Sequence, residues 1–417
     1  MMSTTTAVAT KSVVREPGLQ SEADRILAEV KAMLPKLREE APEVEQLGRP
    51  IQSTIEMLDK IGVFKMSVPV EYGGYALTPG QMVPVFTEIA RGCGSTAWVT
   101  WVTTAGTQWM TAYSHKLQAE MFDPDWVGPY QSGAMNKGGP GVARKVEGGY
   151  MLSGKWPWAS GCYYTIFHTM GALVDAPDGT KYPIICQVPH EEIDIIDDWD
   201  VLGMRGSSSN TITLKKGEVF VPEYRVIQTQ DLFSGKRPEP APAGVLYDIN
   251  LIQVTTATFV SLGLGLAKAA IDLFEETIGT RGITFTNYKS QREAPVTHLQ
   301  LGELYSKLLA VEAIAAENCR RVESDAANGV AQTPLDNSRT RCATAYAVSV
   351  CDEIVNLCLR ATGASGIKSS YPIQRIARDI KPVIMHGQMN LETAYEDYGR
   401  ILAGLPGFQE PPKAKAH

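Results

Sequence analysis

The chain is poor in cysteine, with 7 in 417 residues and none in CxxC or finger spacing. Neither a disulfide framework nor a structural zinc site is expected, and reduced, cytoplasmic thiols are. Positive charge is also short. Lys and Arg total 39 against 46 Asp and Glu, for a net charge of −7, and no basic run is present. That excludes nucleic acid and anionic membrane as partners. No apolar stretch reaches the roughly 18 residues of a membrane span. The opening MMSTTTAVATKSVVREPG lacks an apolar core before a small-residue cleavage site, so a secretory signal is not expected. It reads as a disordered lead over residues 1–18.

Catalytic signatures are mostly missing too. No GxSxG elbow occurs, and the six histidines form no HExxH or other close metal pair, which leaves hydrolase and metalloenzyme chemistry without support. Gly263-Leu264-Gly265 begins like a dinucleotide fingerprint. Lys268 stands at its third glycine position, however, and no strand precedes it, so close helix packing accounts for it better. Gly363 to Ser369 misses the spacing of a phosphate loop.

What is present is a large apolar fraction, 44%, enough to bury a core in more than one domain. The hydrophobic period is helical at both ends and two-residue in the middle. Ser21 with Asp24, then Ser53 with Glu56, read as helix starts, and Gly62 reads as a stop. Tyr150–Leu152, Thr165–Val174, Tyr182–Pro189, Thr211–Leu214 and Val219–Val221 read as strands. Lys236 to Gly244 is a proline-rich connection. Helical spacing returns in Leu301, Leu304, Leu308, Val311, Ala315, Cys319 and Val322 and runs nearly to Leu402. The layout is an N-terminal helical domain over 19–128, a central β domain over 129–235, a C-terminal helical domain over 245–405, and a tail over 406–417.

An ordered set of segments resembles the acyl-CoA dehydrogenase superfamily over roughly residues 20 to 403. They are Val68-Pro69 with Glu71-Tyr72-Gly73-Gly74, Glu88-Ile89-Ala90 before Ser95-Thr96-Ala97-Trp98, and Gly148 to Lys155. Leu202-Gly203-Met204-Arg205-Gly206-Ser207, Val219 to Pro222, Gly363 to Gly366, and Gln374-Arg375 with Arg378-Asp379 follow. The resemblance implies a mainly α fold with a central β domain: an N-terminal helical domain, a β-barrel middle domain and a C-terminal four-helix bundle, assembled as a homotetramer. In the dehydrogenases a Glu-Gly near the Arg-Asp pair removes a proton alpha to a thioester. Here Arg378-Asp379 is followed by His386-Gly387, with His386 in the carboxylate's place.

A histidine there, together with Trp156 to Gly161, resembles the two-component flavin-dependent monooxygenases of the same fold. These include hydroxylases of 4-hydroxyphenylacetate and of steroid-derived phenols, dibenzothiophene monooxygenase and amino-sugar N-oxygenases. The resemblance implies reduced flavin (FADH2 or FMNH2) reacting with O2 to a C4a-hydroperoxide that hydroxylates a small aromatic, amine or heterocyclic substrate. It also implies a separate NAD(P)H-dependent flavin reductase as transient partner.

By the same resemblance Ser160 lies beside flavin N5 and Trp158 against the ring system, and His386 moves a proton near neutral pH. Arg205, Ser207, Ser208, Arg281 and Gly363-Ala364-Ser365-Gly366 hold the flavin, with Arg281 and the glycine loop reaching a neighbouring subunit's cofactor. Trp98, Trp101, Thr107, Gln108 and Tyr163 line the substrate pocket. The phenol hydroxylases carry His-x-Trp where this chain has Thr107-Gln108-Trp109, which shifts weight toward a neutral nucleophilic substrate. Asp379 reads as a structural partner of Arg378 or Arg375. The alternatives are a dehydrogenase with a displaced base, Glu392 or Glu396, and a non-catalytic flavin-binding scaffold.

Overall fold

The computed structural model describes residues 17–134, 141–176 and 179–408. The lead before residue 17, most of the Gly133 to Gly141 loop and the tail after residue 408 lie outside the described residues.

Five helices open the chain: α1 (Pro17–Leu47), α2 (Gln52–Ile61), α3 (Pro79–Gly92), α4 (Gly94–Thr107) and α5 (His115–Met121). Helix α1 starts ahead of Ser21, so Ser21 is an interior residue and not a cap. Proline at a first helical position has its φ preset and gives up an amide that would be unpaired anyway. Ile26, Val30, Met33, Leu37, Ala41 and Val44 form its buried stripe, at the three- and four-residue spacing of one helix face. Ser53 likewise falls inside α2, whose N-cap is Ile51 with no side-chain cap. Gly62 does end that helix, at φ 96°, with its N–H bonded back to the Asp59 carbonyl.

The middle of the chain is an eight-stranded sheet ordered β6-β7-β3-β2-β4-β5-β8, with β1 also paired to β4. Its strands are β1 (Gln131–Ala134), β2 (Gly141–Val146), β3 (Gly149–Ala159), β4 (Phe167–Asp175), β5 (Lys181–Pro189), β6 (Ile193–Ile196), β7 (Asn210–Pro222) and β8 (Val226–Gln228). The two segments read as separate strands at 211–214 and 219–221 are one strand, β7. It pairs antiparallel with β3, and the register shifts between Ser153 and Lys155 and between Trp156 and Ala159. Such irregularities bend a strand and re-aim its side chains. Here they sit next to Trp158 and Ser160.

Two short helices, α6 (Thr229–Ser234) and α7 (Val245–Asp248), flank the proline-rich connection. Then come α8 (Leu251–Ile278), α9 (Pro295–Ala327), α10 (Pro334–Thr362), α11 (Pro372–Met385) and α12 (Leu391–Leu402). Helix α8 and the stretch 334–367 are long and apolar enough to cross a membrane, contrary to the expectation from apolar runs. Most of α8's apolar window is buried inside the protein, as befits the central helix of a bundle. Gly265 explains part of that packing. A Cβ there would lie 2.4 Å from Ala90 Cβ and 2.4 Å from the Thr87 carbonyl oxygen, so this glycine lets α3 and α8 touch.

One apolar core joins the N-terminal helices to the bundle, and a second fills the sheet. Tyr163 packs against both. The seam between them is where the candidate residues gather.

Candidate active site

Strand β3 buries Trp156 completely, with its indole N–H on the Gly171 carbonyl (2.8 Å). Two residues later Trp158 does the opposite. It is 61% exposed and sits at φ 69°, a left-handed backbone that costs a bulky residue about 1–3 kcal/mol. Its only ring neighbour among the described aromatic pairs is Trp199, edge-on at 5.1 Å. The Ser160 N–H bonds the Trp158 carbonyl (3.0 Å), closing a tight turn that points Ser160 inward.

The buried Ser160 hydroxyl is heavily engaged. Trp98 Nε1–H donates to its oxygen (3.0 Å), and it shares a hydrogen with Ser209 (2.6 Å), which in turn shares one with Ser207 (2.7 Å). The serine loop is pinned from two sides. A Cβ on Gly203 would meet the Arg378 carbonyl at 2.0 Å, and one on Gly206 would meet Val44 Cγ1 at 2.4 Å. Asp379 Oδ1 accepts the Met204 N–H (2.7 Å) and Ser95 Oγ accepts the Gly206 N–H (3.2 Å). Asp379 therefore hydrogen-bonds a backbone amide, with Arg375 and Arg378 acting on its charge. Arg378 instead pairs with Glu45 and donates to the Leu202 carbonyl (3.0 Å). Burial raises the Asp379 carboxyl to about 6. The Ser208 hydroxyl is buried without a partner.

His386 caps the C-terminal end of α11. Its ring lies 5.8 Å from Trp98 and 5.2 Å from Phe259 of α8. Trp101 closes the cluster, 4.8 Å from Phe259, with its indole N–H on Thr258 Oγ1 (3.0 Å). Trp98 thus touches Ser160 from the β domain and His386 from the bundle. Burial lowers the His386 imidazole to about 4, so it is neutral at pH 7. Its Nδ1 accepts the Gln388 N–H (3.3 Å), which leaves the proton on Nε2 and makes the free edge a donor. It becomes a base only by releasing Gln388. Gln388 is held by its own amide to Thr256 Oγ1 (2.5 Å) and by Arg341 Nε–H to its carbonyl (2.9 Å). A Cβ on Gly387 would meet nothing within 4 Å.

The other expected residues divide. Ser207 is in the serine chain. Arg205 is exposed, donating to the Val201 carbonyl (3.3 Å) with Asp200 3.7 Å away. Arg281 donates to the Thr362 carbonyl (2.7 Å), beside the 3-10 turn Gly363–Ile367 that carries Ala364, Ser365 and Gly366. This corner lies at the start of α11, about 20 Å by helical rise from His386 at its end. Thr107 spends its hydroxyl on the Thr103 carbonyl (2.7 Å). Gln108 donates to the Leu246 carbonyl (2.9 Å) and leaves Oε1 buried and unpartnered. Tyr163 lies under the Arg49 guanidinium (4.8 Å). Glu392 and Glu396 are exposed on α12. A cleft of about 790 Å³ among α1, α3, α8 and α9 contains none of the expected residues.

Sequence reasoning missed Ser209, Phe259, Arg341 and Gln388. The run Ser207-Ser208-Ser209 carried a signal for the first. Nothing in an apolar helix distinguishes Phe259 from its neighbours. An uncovered indole on strained backbone, an orphaned Ser208 hydroxyl and a Ser160 hydroxyl at the seam fit a flat aromatic cofactor with hydrogen-bonding edges.

Two family models match, the acyl-CoA dehydrogenase N-terminal domain over residues 20–127 and the C-terminal domain over 257–391. A pigment production hydroxylase from a Rhodococcus species is 26% identical over 91% of this chain and 97% of its own length. The oxygenase component of an FADH2-dependent resorcinol hydroxylase from a Rhizobium species is 29% identical over 91% and 94%. The solved structure of XiaF from a Streptomyces species, in complex with FADH2 and glycerol, superposes with a TM-score of 0.88 at 25% identity, covering 95% of this chain and 98% of that one. With His386 beside Trp98, the chain belongs to the acyl-CoA dehydrogenase family, in its flavin-dependent monooxygenase branch.

Proposed function

We propose that the protein is the oxygenase component of a two-component flavin-dependent monooxygenase. The observation that carries this reading is the meeting of Ser160 and His386 on one indole, Trp98, with a histidine and no carboxylate at residue 386. Reduced flavin, FADH2 or FMNH2, supplies the electrons that activate O2 for insertion of one oxygen atom into a small substrate. The chain's own contribution is positional. Trp158 would pack against the ring system and Ser160 would meet its N5 edge, and Ser207, Ser208 and Arg205 would hold the remainder of the cofactor. Neutral His386 offers Nε2–H, and Trp98, Trp101 and Phe259 keep water from the reacting centre. Arg281 and Gly363 to Gly366 reach the cofactor of a neighbouring subunit in a homotetramer.

An NAD(P)H-dependent flavin reductase is the transient partner, and the setting is cytoplasmic. The substrate is a neutral aromatic, amine or heterocycle; Thr107 at the histidine position of the phenol hydroxylases' His-x-Trp supports this over a phenolate. The test supplies the protein with enzymatically reduced FAD or FMN and isotopically labelled O2, with a panel of phenols, indoles, amines and thioethers. One labelled atom in a product is the expected result. Release of hydrogen peroxide alone across the panel, together with oxidation of an acyl-CoA by an artificial acceptor, overturns the reading in favour of a dehydrogenase.

A further inference from the structure

We propose that Asp379 is a positioning residue for the flavin: its carboxylate locks Met204 in a left-handed backbone, and that lock sets the loop Gly203 to Ser209 and, through Trp199, the Trp158 indole against the cofactor. The inference rests on the reading that this loop and Trp158 hold the flavin.

The loop passes twice through backbone that side chains rarely adopt, at Met204 (φ 54°) and Ser208 (φ 46°). Such turns persist only where their surroundings hold them. Met204 is held at both ends of its backbone. Its N–H donates to Asp379 Oδ1 (2.7 Å), and its carbonyl accepts Trp199 Nε1–H (3.0 Å) and the Ser207 N–H (3.0 Å). Trp199 is the ring that meets exposed Trp158 edge-on at 5.1 Å. Further along, the Ser207 carbonyl accepts the Gly161 N–H (3.1 Å), next to Ser160. The remaining anchors are neutral, with the Gly206 N–H on Ser95 Oγ (3.2 Å) and the Ser208 N–H on the Gly48 carbonyl (3.0 Å). Among the described hydrogen bonds of the loop's amides, Asp379 is the one charged acceptor. An ionised acceptor binds about twice as strongly as a neutral one.

The buried carboxylate also reaches α4. Its Oδ2 lies 3.1 Å from where a Cβ on Gly94 would stand, at the first residue of that helix. One side chain thus occupies the meeting point of α11, the start of α4 and the loop, with Trp98 and His386 about one and two turns away on those helices. The charged and titratable groups around it are Arg375 and Arg378 of α11, Glu45 of α1 and the Cys93 thiol ahead of α4. Burial outweighs the Met204 amide and the two arginines and lifts the carboxyl to about 6. The lock weakens as the pH falls through that value, because the acceptor becomes a neutral acid. His386, down to about 4, stays neutral meanwhile.

The experiment follows the full chain between pH 8 and 5. It reads hydrogen exchange of the segment containing Met204, corrected for the intrinsic pH dependence of exchange, and the Kd for oxidised FAD, whose isoalloxazine and pyrophosphate do not titrate in that range. Wild type is compared with Asp379→Asn, which keeps an oxygen for Met204 but no charge, and with Ser95→Ala, which removes a neutral anchor. In wild type, protection at Met204 and FAD affinity fall together as the pH drops, by up to about tenfold, the margin of a charged over a neutral hydrogen bond. Asp379→Asn shows at pH 8 the values that wild type shows at pH 5 and changes no further. Ser95→Ala loosens both by the same factor at every pH. Wild-type protection and affinity that stay level from pH 8 to 5, or an Asp379→Asn variant that keeps the wild-type profile, overturn the lock. Protection at Met204 that follows Asp379 while FAD binding is absent or unmoved overturns the placement of the flavin on this loop, and the positioning role with it.

Discussion

Among the described residues two imidazoles are lowered furthest by desolvation, fully buried His168 down to about 3 and partly buried His386 down to about 4, and both are neutral at pH 7. They differ in the second ring nitrogen. His168, fully buried on β4, bonds Ser132 Oγ through Nδ1 (2.9 Å) and His190 through Nε2 (3.0 Å). Its hydrogen-bonding capacity is used up inside the sheet. His386 has Nδ1 on the Gln388 amide, and its Nε2 has no partner among the described hydrogen bonds. The lowered pKa values look alike, so the shift by itself does not mark the functional histidine. The unspent donor at a seam of three structural units does.

The sharpest way to break that comparison is to truncate both rings. His386→Ala is expected to lower product formation by about 10²- to 10⁴-fold, the range for loss of a positioned acid–base group, while flavin oxidation to peroxide continues. Product and peroxide quantified together check it, and undiminished turnover would put the two histidines on the same footing. His168→Ala is expected to act on stability instead, costing about 2–4 kcal/mol for orphaned polar partners and a cavity. Urea denaturation reads that loss, with turnover per folded molecule retained.

The two rings also predict a shared pH response. Both have folded pKa values below the unfolded 6.5, so below that pH the unfolded chain binds more protons. Stability falls as pH drops from about 6.5, through about 4 for His386 and onward to about 3 for His168. Denaturation midpoints between pH 7.5 and 4.5 should decline, less steeply in His168→Phe. Because His386 stays neutral, turnover should show no acid limb near pH 6.5 arising from it. The smallest effect is reserved for the clamp behind His386. Arg341→Lys loses the fork onto Gln388 and Thr393, and is expected to reduce turnover about two- to tenfold, the scale of one hydrogen bond, with the denaturation midpoint nearly unchanged.

Much of this was legible in the sequence where periodicity and turn chemistry speak. The stripe from Leu304 to Val322 is the buried face of α9, Gly62 is a left-handed stop, and Gly263 to Gly265 is a packing device. Helix starts were less legible, because Ser-x-x-Asp and Ser-x-x-Glu also occur inside the first turns of α1 and α2, where the same side chains face solvent. The order of Trp158, Ser160 and His386 carried the chemistry, but their partners did not show. Ser209 reaches Ser160 only because β7 pairs with β3 across a bulge, and Phe259 reaches His386 only because α8 lies against the end of α11.

The sequence by itself determined the alternation of helical and strand periods, the three-part order, the residue types of the chemistry and the histidine at 386 where a carboxylate would stand, since each is a local pattern of period or identity. Only the tertiary structure decided that Trp98 ties Ser160 to His386, that His386 presents Nε2–H, that Asp379 serves a backbone amide, and that Arg281 sits at the far end of α11. Those facts depend on which donors and acceptors remain unspent after packing, and contacts across tens to hundreds of residues leave no periodic trace in the chain.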